Sequence, residues 1–337
     1  MKYAIYTFRF TTPVHFGSAE LGGKLEQVGI EYTSDSLFSA ICWELRQLGE
    51  LDYLQSFCEA VKQGKLLFSD LFPYHIDTQE DTCHLYIPKP VALIESEMVL
   101  QTPVSLEEVR QQATARKKQK KMKYLRPSEL KPYINALKQS VTYASSLELG
   151  EQSLVERVNC RGEEPLPYYV GTYTFRENTG LYVLVQYTDD IDLGILQQVF
   201  TSLGQSGIGG KRSSGLGKFI VVDEEPLLLE DEEGIYGDDG ALYAMLCNTS
   251  SSQQMSLSTI IPAENEIPIV AKGQYMLRRR SGFTTGAGEL KKRNSVYALR
   301  AGSCFSHPLA GTIAVLDDSI EPPIWRNGKG IFVGLPV

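Results

Sequence analysis

The stretch "SGIGGKRSSGLGKF", residues 206–219, sets five glycines around Lys211, Arg212 and Lys218. Its flanks decide the fold. On the N-terminal side, DIDLGILQQVFTSLGQ places Ile191, Ile195, Leu196 and Val199 at helical spacing, and on the C-terminal side KFIVV is a short apolar strand. The glycines therefore leave a helix and enter a strand. Phosphate-cradling loops of nucleotide enzymes run the other way, from strand through glycines to a helix N-terminus. The Walker spacing fails as well, because Gln205 stands where the first glycine is required and Arg212 follows Lys211 in place of Ser or Thr. An NTPase and a dinucleotide-dependent dehydrogenase are both disfavoured.

Working outward, YAIYTFRF alternates as a half-buried strand, with Tyr3, Ile5 and Thr7 on one face and Tyr6, Phe8 and Phe10 on the other. TSDSLFSAICWELRQLG is a helix that gathers Leu37, Ile41, Leu45 and Leu48, with Ser34 or Asp35 as N-cap and Gly49 as stop. LLFSDLFPY and HLYIPKPV are extended segments, and YYVGTYTF and GLYVLVQY, separated by RENTG, read as a hairpin. The order strand, helix, two strands, helix, strand is the ferredoxin-like arrangement. Inside it, VSLEEVRQQATARKKQKKMKYLRPSEL turns from mixed helix into a cationic run without apolar periodicity, which reads as a mobile insertion near 105–131. After the acidic stretch DEEPLLLEDEEGIYGDDG, the segments ALYAMLC, IPIVAKGQYMLRRRSG, VYALRAGSCF and GTIAVLDD supply a second set of strands. The expected class is α+β, with two ferredoxin-like (RRM-like) domains, 1–225 and 240–337, the second smaller and degenerate.

A formal net charge of -8 excludes coating of nucleic acid by bulk charge, while leaving room for a local basic surface. The N-terminus lacks a leader-like apolar core and no run is long enough to span a bilayer, so a cytoplasmic protein without membrane partners is expected. Cys42, Cys58, Cys83, Cys160, Cys247 and Cys304 show no CxxC spacing, which argues against zinc and disulfides and for buried free thiols. His75 and His84 flank Cys83 but lack further ligands, so no metal and no cofactor is expected.

Two readings of the glycine loop stand side by side. Missing Cβ atoms would let a polyanion approach the main chain, with Lys211, Arg212, Ser213 and Ser214 around it; or the glycines merely satisfy helix-to-strand geometry.

The segments "SDSLFSAICWEL" and "GIGGKRSSGLGKF" resemble the RAMP superfamily of CRISPR RNA-binding proteins. "AGSCF" followed by "PIWRNGKGIFVGLPV" is similar to the ending of its Csm-four family, found in type III-A effector complexes. This resemblance implies a non-catalytic cap in antiviral defence that grips the repeat-derived 5′ tag of CRISPR RNA (crRNA) and joins the large polymerase-like subunit to the backbone RAMP subunits. Carried over, the tag-binding loop falls on Gly207, Gly209, Gly210, Lys211, Arg212, Ser213, Ser214, Gly215 and Gly217, with Lys218 beside it. A single-stranded tag would offer phosphates to amides and cations, and bases to aromatics.

His15, in the loop after the first strand, is expected to hydrogen-bond or stack on RNA. The alternative is a metal-independent endoribonuclease processing CRISPR repeats, with His15 as acid or base and Lys211 stabilising the scissile phosphate. Asp35 is read as a cap rather than as a catalytic carboxylate. Arg278 and Arg280 share one face of a strand, with Arg279 opposite, and are candidates for RNA or large-subunit contact, together with Lys291, Lys292 and Arg293. Arg157 and Arg161 are weaker candidates of the same kind. The run Arg116, Lys117, Lys118, Lys120, Lys121 and Lys123 reads either as an arm on RNA or as a solvated face. Tyr124 and Tyr133 offer stacking surfaces, and Trp325 reads as packing before a second basic glycine segment, Arg326 to Gly330.

Overall fold

The structure is a computed structural model that describes residues 1–17, 24–79, 81–91, 105–143, 145, 147–160, 164–229, 237–286, 289–292, 294–317 and 324–336. The N-terminal part runs β1 (Lys2–Phe10), α1 (Ser34–Leu48), α2 (Leu51–Gln63), β2 (Leu66–Phe68), β3 (Phe72–Asp77), β4 (Thr82–Leu85) and β5 (Ile87–Pro88). It continues through α3 (Leu106–Lys121), β6 (Tyr124–Leu125), α4 (Leu130–Lys138), β7 (Gly150–Asn159), β8 (Leu166–Phe175) and β9 (Thr179–Tyr187). α5 (Leu193–Ser206), β10 (Phe219–Val221) and β11 (Leu227–Leu228) close it. The main sheet has the antiparallel order β10-β1-β9-β3-β4, with β11 also on β1 and β2 also on β9. The strand before α1 and the strand after α5 therefore lie side by side, which brings the loop after β1 against the glycine loop that precedes β10.

Both faces of this sheet are covered. Ala4, Tyr6, Phe8, Leu181 and Val183 pack under α1, α2 and α5 through residues such as Ile41, Phe57 and Phe200. Ile5, Tyr182 and Leu184 point the other way, into a core shared with Leu242, Met255 and Val333 of the C-terminal part. Burial on both faces explains why GLYVLVQY is apolar without alternation.

α1 starts one residue earlier than expected: Thr33 is the N-cap, without a side-chain cap bond, and Gly49 closes the helix at φ 80°. Asp35 does not cap, because its carboxylate is occupied elsewhere. Asp192 does cap α5, accepting from the Gly194 and Ile195 amides.

Three expectations are corrected. β8 does not form a hairpin with β9; it pairs along its whole length with β7, from Gly150 opposite Phe175 to Asn159 opposite Leu166, because β9 is claimed by β1 and β3. The cationic run of the 105–131 insertion is helical through Lys121, since Ala, Gln, Lys and Arg hold a helix by propensity where no buried face exists. ALYAMLC, expected as a strand, lies in α6 (Asp239–Cys247), and the IPIV start of IPIVAKGQYMLRRRSG, likewise expected in a strand, is helical.

The C-terminal part continues with β12 (Gln254–Ser256), α7 (Ile267–Val270), β13 (Leu277–Arg280), β14 (Phe283–Gly286), β15 (Glu289–Lys292), β16 (Val296–Leu299) and β17 (Cys304–Phe305). β18 (Ile313–Asp317), β19 (Ile324–Asn327) and β20 (Phe332–Gly334) end the chain. Its strands form a three-stranded sheet, β17-β12-β20, and the pairs β13–β16, β14–β15 and β18–β19. The molecule is thus mixed α and β, and among the described residues the C-terminal strands do not assemble into one four-stranded sheet. No helix among them is long and apolar enough to cross a membrane.

Candidate nucleic-acid interface

The glycine loop owes its shape to close packing. At Gly217 a Cβ would lie 1.9 Å from the Ile208 carbonyl, and at Gly209 2.6 Å from the Phe16 ring; both sit at positive φ, 80° and 89°. A Cβ on Gly210 would meet the His15 ring at 2.7 Å, and one on Gly207 the Leu216 carbonyl at 2.8 Å. These faces are filled by the protein itself, so their missing Cβ atoms do not open the main chain to a ligand. Gly215 alone of the loop glycines faces open space.

Between Gly210 and Gly215 the backbone rises in a short turn. Lys211 takes the left-handed conformation at φ 60° and Arg212–Ser214 form one 3-10 turn, with Ser213 and Ser214 exposed. Among the described residues neither Lys211 nor Arg212 pairs with a carboxylate. The Lys211 ammonium lies 5.0 Å from the ring centre of Tyr168 on β8, and Arg157 of β7 stands directly opposite Tyr168 in the ladder. Lys218 is exposed at the start of β10, its amide donating to Thr12.

His15 is buried, its Nδ1 donating 2.7 Å to the Gly171 carbonyl, while its own carbonyl accepts from the Gly210 amide at 2.9 Å. It lines a cleft of about 780 Å³ between the glycine loop, residues 28–33, the C-terminal end of α3 and β13. Lys118 and Lys121 stand on its edge, with Phe16, Tyr32 and Tyr173 in its walls. The basic run therefore borders the same space as the loop.

The remaining arginine candidates turn inward. Arg280 forks onto Asp35, with Nε to Oδ2 at 2.8 Å and Nη2 to Oδ1 at 3.0 Å, and Arg326 pairs with the same carboxylate. Asp35 is fully buried; burial pushes its pKa up, yet the two guanidiniums outweigh this and hold it below the ordinary carboxylate range. Arg278 pairs with Glu31, which also takes Arg300 at 3.2 Å and Lys123 at 3.0 Å. Burial raises the Glu31 carboxyl, but Arg278, Lys123 and Arg300 bring it down to about 2. Asp70 accepts from the Ser34 amide and from both the amide and hydroxyl of Thr259, and its burial still pushes it upward. Arg278 and Arg280 do share one strand face, as alternation required, and that face is spent on carboxylates of the N-terminal part.

Tyr133 is buried in the core and offers no stacking surface, whereas Tyr124, though largely buried, lines the cleft. Trp325 packs, with the Lys62 ammonium 3.8 Å from its ring centre. Only Cys83 and Cys304 are buried thiols; Cys160 and Cys247 are exposed, and Cys42 and Cys58 lie 3.9 Å apart between α1 and α2. No group of metal-binding side chains occurs among the described residues. Arg161 and Arg293, and the side chains of Lys291 and Lys292, lie outside the described residues. Trp43 escaped the sequence reading: it is 45% exposed on α1, beside Gly209 and Arg212. Its position two residues from Ile41, across the helix from Leu37 and Leu45, was the available signal.

A family model for the CRISPR Csm4 C-terminal domain matches residues 249–335. A Streptococcus thermophilus protein, "CRISPR system Cms protein Csm4", is 29% identical over 319 residues, 93% of this chain and 92% of the relative. The Mycobacterium tuberculosis protein of the same description is 25% identical over 343 residues, 100% of this chain and 99% of its own. Among solved structures, the fold is similar to a chain of the Csm3-Csm4 subcomplex of the type III-A CRISPR-Cas interference complex, with TM-score 0.57, 17% identity and 99% of each chain covered. It is also similar to a chain of the Csm1-Csm4 cassette in complex with pppApA, with TM-score 0.58, 17% identity and coverage of 100% and 99%.

Proposed function

We propose that this chain, which belongs to the Csm4 family, is a non-catalytic subunit of a type III-A Csm ribonucleoprotein that binds the 5′ tag of crRNA along the cleft and the Lys211–Ser214 turn. It links the large polymerase-like subunit to the backbone RAMP subunits, as the Csm1 and Csm3 companions of its structural neighbours suggest. The N-terminal strand order, fourth-first-third-second in a βαββαβ unit, supports the reading of a ferredoxin-like RNA-binding domain.

The observation that carries the reading is the turn itself: two cations that pair with no carboxylate among the described residues and two exposed serines, directly following Gly209 and Gly210, which line an aromatic-walled cleft. A single-stranded backbone gains counterion release from such cations, while unstacked bases gain from aromatic walls. The carboxylate that heads α1 is neutralised by two guanidiniums, which suits a binder rather than a hydrolase.

The test is binding of a 5′-tagged RNA to complexes assembled with wild-type chain or with Lys211→Ala and Arg212→Ala together. The double variant is expected to weaken binding and to flatten the salt dependence by about 1.4 in log–log slope, roughly 0.7 per lost phosphate contact. An unchanged slope in a folded variant overturns the assignment. Cleavage of repeat RNA that persists in EDTA and disappears with His15→Ala would make the protein a processing nuclease.

A further inference from the structure

Trp43 is one of two tryptophans in the chain, and it is left 45% exposed on the outer side of α1. Its surroundings are unlike those of a stray surface aromatic. A helical side chain lies over the turn N-terminal to its own Cα, and here that turn offers Ser39 and Ala40, with Ser36 one turn further back. Two shallow grooves of about 370 and 490 Å³ meet at this residue; both are bounded by Trp43, Gly209 and Arg212, and the second also by Lys211 and Ser213.

The composition of the rim identifies the guest. An apolar protein knob seated on Trp43 would desolvate Lys211 and Arg212 without supplying a counter-charge. A ligand with a flat π-face and an anionic group on one short scaffold satisfies both the ring and the cations, and a nucleotide has that form. We propose that Trp43 is a stacking platform for one unpaired base of the bound single-stranded RNA, whose adjoining phosphate is held by Lys211 and Arg212. This rests on the RNA-binding reading above and extends it out of the cleft, across the glycine turn onto α1. The turn then separates two ligand-facing surfaces: the cleft on the His15 side and the platform on the Trp43 side.

The test uses complexes assembled with wild-type chain, Trp43→Ala, Trp43→Phe, or the Lys211→Ala/Arg212→Ala pair. Each is titrated with 5′-tagged RNA at several salt concentrations, and wild-type complexes are also crosslinked to RNA carrying single 4-thiouridines. Trp43→Ala is expected to weaken binding about 5- to 160-fold, the range for one stacked base, with an unchanged salt slope. Trp43→Phe should recover most of that loss, and one thiouridine position should crosslink to the α1 peptide. If Trp43→Ala binds like wild type while the cation pair is impaired, the platform is overturned and the loop assignment stands. If the cation pair also binds like wild type, the RNA-binding reading fails with it. If Trp43→Ala keeps RNA affinity but no longer assembles with its partner subunits, the face is a protein contact and the proposal is overturned.

Discussion

Two segments of this chain look alike in sequence, 209–215 (GGKRSSG) and 326–330 (RNGKG), each a small basic stretch set among glycines. In the structure they do opposite things. The first leaves Lys211 and Arg212 unpaired with any described carboxylate, while the second turns Arg326 into the protein, 7% exposed, onto the buried Asp35. Gly328 and Gly330 admit no Cβ because Ile261 and Ser258 press against them. The difference lies not in the cations but in whether a carboxylate stands within reach. Where one does, the arginine becomes an element of the fold; where none does, it remains available to a ligand.

This contrast can be broken at both ends. The largest effect is expected from Asp35→Asn, which leaves Arg280 and Arg326 without their shared counter-charge and should cost about 3–5 kcal/mol of stability, read by chemical denaturation. Gly217→Ala comes next, at about 2–3 kcal/mol, because it sets a Cβ 1.9 Å from the Ile208 carbonyl at φ 80°. Gly215→Ala, at φ 81° in open space, should cost only about 1 kcal/mol for the backbone conformation. A Gly215 variant as damaging as the Gly217 variant would show that the loop is not held by these close contacts. The Lys211→Ala/Arg212→Ala pair should move stability by less than about 0.5 kcal/mol while impairing RNA binding. A large loss of stability from this pair would erase the distinction between the two segments.

Acidity probes the inward-turned cations in another way. Glu31 titrates near 2 when folded, below its ordinary value of 4.5, so its ion pairs stabilise fully above 4.5 and that stability is lost as pH falls from 4.5 toward 2. The thermal midpoint should fall through that window, and more gently in Glu31→Gln, as a melting series would record.

Much of the N-terminal architecture was legible in the sequence because it rests on local signals. β1 is rich in strand-forming residues, although it is buried on both faces from Ala4 to Phe8 where a half-buried strand was expected; α1 and α5 carry apolar faces, and the helix-to-strand direction of the glycine loop is written in its flanks. Pairing was not legible: Arg176 to Thr179 look like a hairpin turn, yet β8 and β9 part company because the two edges of β9 are taken by β1 and β3. The C-terminal strands suffered likewise, since ALYAMLC is as good a helix as a strand until its neighbours are known. At the site, Lys211 and Arg212 could be singled out in advance, whereas the inward turn of Arg278, Arg280 and Arg326 could not. Their partners Glu31 and Asp35 lie far away in the chain, and no spacing rule connects them.

That distance also has a dimension in time. Asp35 leaves the ribosome 291 residues ahead of Arg326 and 245 ahead of Arg280. At roughly 5–20 residues per second, the wait for the later partner is roughly 15–60 s. For that interval the head of α1 carries an acidic group meant for a dry interior that does not yet exist. The N-terminal part must therefore be born with this surface open to water, and it closes only after Arg280 and Arg326 have been made.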